Sequence, residues 1–158
     1  MYPNLSQVDF RCPVFRTFIT KKGSCLTGCM YVRTDLGSYC EGFNDCGVIL
    51  ILYAMKSGIQ GYQHPNPGAD YVGGTSRAYL PDNREGRIVL QLLKKAWQMK
   101  ITHRVSEYGD SLVDARVEPN GIHLKSSLND LDISGYPNPT YLQRVTADLN
   151  AMGVTLDL

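Results

Sequence analysis

Residues 58–68 read Gly-Ile-Gln-Gly-Tyr-Gln-His-Pro-Asn-Pro-Gly, and residues 76–86 read Ser-Arg-Ala-Tyr-Leu-Pro-Asp-Asn-Arg-Glu-Gly. The first string is turn chemistry. Pro65 and Pro67 remove backbone donors and fix φ, while Asn66 and Gly68 tolerate tight turns. The prolines lower the entropy lost on ordering, and Tyr62, Tyr71 and Tyr79 offer large contacts to bury. The segment 58–80 is therefore expected to be ordered despite its loop composition. The second string is a helix entrance. Asp82 is placed as an N-cap with Glu85 three residues on, the capping-box spacing. Val89, Leu92, Leu93, Ala96 and Trp97 then fall on one helical face, with Arg87, Gln91, Lys94, Lys95 and Gln98 opposite. The outer lysines read as solvated charges.

Upstream, Val48–Met55 is rich in β-branched and aromatic residues between Gly47 and Ser57-Gly58. It reads as a strand, and its continuous apolarity suggests burial on both faces. Cys29–Thr34 alternates weakly and reads as another strand. Ser76–Leu80, Ile101–Val105 and Gly121–Ser126 are further strand candidates, while Ser106–Pro119 is polar and resists assignment. Near the C-terminus, Asn138-Pro139 opens a second helix, with Asn as N-cap and Pro in the first turn. Leu142, Val145, Leu149 and Met152 form its inner stripe, and Gly153 is placed to end it. Two helices against antiparallel or mixed strands make an α+β fold.

The chain has 158 residues, 43% apolar and 20% charged, which suits one domain or two small subdomains sharing an interface. A formal charge of +1 lacks the basic excess of a dedicated nucleic-acid binder. The first ten residues hold no apolar core of a signal peptide. The longest apolar run, Val48 to Met55, falls far short of the roughly 20 residues that cross a bilayer. A soluble, intracellular protein with no membrane partner is expected, cytoplasmic or nuclear. Five cysteines, an odd count, argue against a disulfide framework. Cys25 and Cys29 have zinc-ligand spacing, and a site from Cys12, Cys25, Cys29 and Cys40 is one reading. The absence of a second close pair favours reduced, mostly buried thiols and no metal. The cysteines and the three histidines do not make up the ligand set of a RING domain.

The strings His64–Gly68 and Ala78–Gly86 resemble the C-terminal domain of Deltex proteins, a family of RING-type ubiquitin ligases. Gly42-Phe-Asn-Asp-Cys-Gly47 and Gly135-Tyr-Pro-Asn-Pro-Thr-Tyr-Leu142 extend the likeness, which runs from about Gly28 to Val154. It implies an N-terminal arm over 1–27 and a domain over 28–158 made of two small subdomains. It also implies a division of labour. A RING, in cis or in trans, recruits a ubiquitin-loaded conjugating enzyme, and this domain offers a pocket for ADP-ribose or NAD. ADP-ribosylated proteins, or ADP-ribose itself, then become targets.

Carried over residue by residue, the family's pocket histidine matches His123, in Gly121-Ile-His-Leu-Lys125. Its His or Tyr position falls at Ser134, before Gly135 and Tyr136. Its glutamate, to which the family gives a general-base role, falls at Asp148. A tryptophan aligns with Pro119. A Gly-Thr-Ser-rich ligand loop aligns near Ser106 to Gly109 and here includes Glu107. The resemblance thus implies His123 and Asp148 as catalytic, and His123, Ser134, Asp148, Gly109 and Tyr136 as ligand-binding. A concavity containing His123, with Asp148 nearby, is expected between the 106–119 loop and the final helix. Ser134 removes a stacking ring, and Asp148 shortens the carboxylate stem by one carbon, so the pocket is divergent. On residues alone each has a plainer use: His123 on a backbone carbonyl, Asp148 as an i, i+4 partner of Arg144, and Ser134 as a turn residue. His64, Arg77, Tyr79 and His103 read as structural. An ADP-ribose or NAD module is the first reading and an interaction scaffold the alternative. Single-stranded nucleic-acid binding has only scattered Lys and Arg behind it.

Overall fold

The computed structural model describes residues 26–106, 115–129 and 135–156. In chain order the elements are β1 (Gly28–Asp35), β2 (Val48–Met55), β3 (Gly58–Ile59), β4 (Asp70–Val72), β5 (Gly74–Pro81), α1 (Arg84–Gln98), β6 (His103–Val105), β7 (Ala115–Pro119) and α2 (Tyr141–Ala151). The fold is α+β, and the chain divides into two compact units.

The unit made of residues 30–53, 75–96 and 121–158 holds α2, nearly all of α1 and most of a three-stranded sheet, order β1-β2-β5. The central strand β2 matches its expected span. Ile49, Ile51 and Tyr53 are fully buried on one side, whereas Leu52 on the other is exposed. Burial on both faces is therefore not realised: this sheet has one buried face and one partly open, the usual arrangement when a sheet is covered on one side.

Helix α1 buries Val89, Leu90, Leu92, Leu93 and Ala96 as its periodicity requires. It begins one residue later than expected. Asn83 is the N-cap, its side-chain oxygen accepting from the Gly86 amide at 2.8 Å. Asp82 turns instead to the Arg87 guanidinium, 2.8 Å away. Two good acceptors stand side by side at this helix entrance, and the one without a competing cation takes the cap. Gly86 is required here, because a Cβ would collide with the carbonyl of Pro81. Lys95, expected as a solvated charge, donates to the Thr155 carbonyl.

Helix α2 also starts late. The Asn138 side chain accepts from the Thr140 amide at 3.2 Å, closing a turn ahead of the helix rather than capping it. Its inner stripe buries Tyr141, Leu142, Val145 and Leu149. The end is as expected. Gly153 takes φ +86°, its amide donating to the Asn150 carbonyl at 3.0 Å and that of Val154 to Leu149 at 2.9 Å. This is the Schellman pattern, completed by burial of Val154 and Leu149.

The other unit, the described residues of 26–29, 54–74 and 97–120, contains a four-stranded sheet, order β3-β4-β7-β6. Strands β3 and β4 pair antiparallel, β4 and β7 parallel, and β6 and β7 antiparallel. Strand β7 occupies part of the stretch that resisted assignment. Gly121–Ser126, expected as a strand, forms none. The apolar centre is Leu26, Tyr71, Val105 and Ala115, with Met55 and Val117 against it.

The 58–68 string folds around Gln60, which is buried. Its backbone amide donates to Ala69 and its carbonyl accepts from Gly68. Its side chain accepts from the Asn66 amide at 2.9 Å. His64 secures the loop as expected, Nδ1 accepting from the Gly61 amide at 2.9 Å, with its ring edge-on to Tyr71. Of the tyrosines expected to bury, Tyr71 does, but Tyr62 is 87% exposed.

Cys40 is buried, while Cys29 is exposed and Cys46 intermediate; Cys12 and Cys25 lie outside the described residues. The expectation of mostly buried thiols therefore holds for Cys40 alone of these three. Burial, with Cys46 nearby, pushes the Cys40 thiol up to about 12, a hydrogen bond with Tyr136 opposing. Among the described residues no three His, Cys, Asp or Glu gather as a metal site. None of the described helices is long and apolar enough to cross a membrane.

Two outcomes test this account. Asn83→Ala is expected to cost about 0.5–2 kcal/mol in urea unfolding. Asp82→Ala should cost less, because an ion pair whose cation stays in solvent contributes only about 0–1 kcal/mol. Equal losses would return the cap to Asp82. The second concerns His103, which burial pushes down to about 4 from 6.5. Between those values the unfolded chain binds a proton that the folded chain refuses, so stability must fall as pH drops through that window. His103→Gln should remove up to roughly 3 kcal/mol of that loss. Parallel wild-type and variant stability curves between pH 7 and about 4 would disprove it.

Candidate functional site

The segment after Gly121 has no ladder of its own, so its backbone is held by other means. The Lys125 carbonyl accepts from the Tyr79 amide at 2.8 Å, and the His123 carbonyl accepts from the Tyr141 hydroxyl at 2.7 Å. Ile122 is buried. These anchors alternate with the outward side chain of His123 and fix where it emerges. Asp148 sits about two helical turns beyond Tyr141 on α2. The helix that grips the His123 backbone therefore also supplies the acid. His123 Nδ1 and Asp148 Oδ2 are 3.2 Å apart, with the side chains 66% and 36% exposed.

The pair has a defined chemical capacity. An Nδ1–H donating to the carboxylate leaves Nε2 as the acceptor of a neutral imidazole. The carboxylate keeps its second oxygen for another donor. Together they can hold a vicinal diol or take a proton from a hydroxyl within hydrogen-bond reach.

Tyr136 belongs to the core. It is fully buried, and its hydroxyl donates to the Tyr79 carbonyl at 2.8 Å. Its ring meets Tyr141 edge-on at 5.8 Å and Phe43 at 5.9 Å. Tyr136, expected to bind ligand, packs its ring against Tyr141. Burial raises both phenols above their usual range, so they remain protonated and act as donors. Ser134, Gly109 and Glu107 lie outside the described residues, as does most of the loop expected to face the final helix. Pro119 ends β7 opposite His103.

The residues that sequence reading passed over are Tyr141 and Lys125. The Lys125 ammonium lies over the Tyr141 ring, 5.4 Å from its centroid. Burial and, less, Arg144 push its pKa down. The available signal was weak: a tyrosine heading an amphipathic helix looks like core.

An α+β fold that carries these motifs defines a class. Residues 22–154 match the model of the Deltex C-terminal domain, and the chain belongs to that family. It is 40% identical over 157 residues to the human "Probable E3 ubiquitin-protein ligase DTX3", covering 96% of this chain and 44% of that one. It is 37% identical over 153 residues to "E3 ubiquitin-protein ligase DTX4" of Mus musculus, covering 94% and 25% respectively. To "E3 ubiquitin-protein ligase DTX1" of Xenopus laevis it is 40% identical over 116 residues, covering 72% and 19%. The chain thus spans less than half the length of these relatives.

Tyr141→Phe is expected to destabilise the domain by about 1–3 kcal/mol, because it leaves the His123 carbonyl without its donor. It should also shift the His123 ring resonances. A variant with wild-type stability and an unmoved His123 would show that the segment is held without Tyr141.

Proposed function

We propose that the domain presents an ADP-ribose or NAD site, built on His123 and Asp148, to a RING in the same chain or in a partner. The RING would supply the ubiquitin-loaded conjugating enzyme, and the site would hold the ADP-ribosylated protein or free ADP-ribose. The observation that carries this reading is the His123–Asp148 pair. Two residues matched independently to the family's ligand site share one face and lie 3.2 Å apart. A ribose diol suits this pair, since one hydroxyl can donate to the free carboxylate oxygen and the other to imidazole Nε2. A base at this pair would also be within reach of a ribose hydroxyl, as ubiquitin transfer to ADP-ribose requires.

Two departures weaken the site. Ser134 offers no ring. Asp148 has a short stem and spends one oxygen on His123, so it reaches less far than a glutamate. At about 1–2 kcal/mol each, these changes lower affinity by roughly 30- to 1,000-fold relative to a relative with the full set, if additive. The short, engaged carboxylate also favours a second reading, an interaction scaffold that has kept the fold and lost the nucleotide.

Calorimetric titration with ADP-ribose separates these readings. Weak binding by the wild type, its loss in His123→Ala, and a gain in Ser134→Tyr with Asp148→Glu are the expected results. No binding by either the wild type or the double variant would leave the scaffold. Tight wild-type binding would mean that the two substitutions do not weaken the site.

A further inference from the structure

The outer strands of the two sheets are guarded unequally. Strand β3 has two residues and β6 has three, and on β5 the Tyr79 amide donates to the Lys125 carbonyl. Strand β1 is eight residues long and holds neither proline nor lysine, although it too lies at a sheet edge. Long edges commonly carry such guards, because their outer backbone groups can pair with another chain. Nor does a bulge turn this edge away. At one end the Thr27 carbonyl accepts from the Lys56 amide at 2.9 Å. At the other, a Cβ on Gly47 would meet the Asp35 carbonyl and the Leu36 Cα, so Gly47 stands opposite Leu36. Both ends share one offset, so β1 and β2 run antiparallel with a continuous register. Thr27 and every second residue after it turn their backbone groups to β2. Gly28, Met30, Val32 and Thr34 turn theirs outward, where no strand lies among the described residues. Exposed apolar side chains flank this row: Tyr31 and Val32 on β1, Leu52 on β2 and Leu36 just past the strand.

We infer that β1 is a docking edge for a second copy of this chain, pairing antiparallel with its own counterpart around a twofold axis at Val32. The strand is complementary to itself, as such an axis requires. Pairing around Val32 sets one outward row against the other, Val32 on Val32 and Met30 on Thr34. It places Arg33 across from Tyr31 of the second copy, where the guanidinium can lie against the ring. No two like charges are opposed. An axis at Arg33 would set two guanidiniums directly opposite, which is destabilising. Valine and tyrosine are also residues that cross-strand pairing favours. The contact is one strand edge wide, so the dimer belongs with weak, concentration-dependent interfaces. It does not depend on the nucleotide reading above.

The test is sedimentation equilibrium of the full chain over a rising concentration series, with amide hydrogen exchange at both ends of that series. A monomer–dimer equilibrium is expected, with the amides of Met30, Val32 and Thr34 exchanging more slowly in the dimer. Two variants act on the outward row. Val32→Lys sets a charge at the axis. Thr34→Pro deletes an outward donor and leaves the β2 ladder intact, as proline at a sheet edge allows. Each is expected to weaken the dimer by about tenfold or more, since a twofold axis makes every change twice. Thermal melts show which variants fold, and either one alone decides the matter. Should neither fold, the exchange pattern of the wild type decides it. A wild type that stays monomeric at every concentration overturns the inference and leaves the edge to a different protein. So does a dimer that the folded variants form as well as the wild type, or one whose exchange protection falls outside β1.

Discussion

Two buried tyrosine hydroxyls organise the site-bearing unit. Tyr136 donates to the carbonyl of Tyr79 on β5, and Tyr141 to that of His123. Each satisfies a backbone acceptor that no ladder would otherwise reach, and an acceptor left bare in such a place costs about 1–3 kcal/mol. The rings lean edge-on against each other at 5.8 Å, so neither can move without disturbing the other's hydrogen bond. A phenol is already protonated at neutral pH, and burial raises both of these further, so the donors persist across the physiological pH range. The irregular segment carrying His123 is joined to β5 by the Tyr79 amide, which donates to the Lys125 carbonyl, and to the first residue of α2 by the Tyr141 hydroxyl.

The distinctive strings of the sequence are the places where this unit touches itself. Phe43, from Gly42–Gly47, packs on Tyr136 from Gly135–Leu142. Tyr136 in turn bonds Tyr79 from Ala78–Gly86. The Asp82 amide, from that same string, donates to the Gly47 carbonyl at 2.8 Å, and Gly86 lets the first turn of α1 close over Pro81. The family pattern is therefore a record of mutual contacts. The His64–Gly68 string does equivalent work in the other unit, where a buried glutamine and a histidine supply the hydrogen bonds that its prolines cannot.

A rigid frame with an exposed pair on it suits recognition of a polar ligand. His123 and Asp148 are the outward ends of two anchored backbones, so ordering them on binding costs little entropy. The relatives matched by this chain carry ubiquitin-ligase names, while the chain itself spans less than half of each.

The sequence by itself determined the elements whose signals are local and strong. The β2 span follows from a run of β-branched and aromatic residues between glycines. The inner stripes of both helices follow from their period, and the end of α2 from Gly153, since only a left-handed residue closes that turn. The family strings carried the α+β fold and pointed, residue by residue, to His123 and Asp148 as site candidates. Only the tertiary structure decided between near-equal local options. Asp82 and Asn83 both suit an N-cap, and Arg87 settled the choice by drawing Asp82 away. Strands β3, β4 and β7 are too short to show alternation and exist because they pair with one another. Tyr62 and Tyr71 look alike in the sequence, but only Tyr71 lies in the strand that faces the apolar centre. The His123–Asp148 contact joins residues 25 apart in sequence, and the Lys125 ammonium reaches Tyr141 only because both segments are anchored. No local rule contains such distances, because they depend on where two hydroxyls find backbone acceptors once the core has closed.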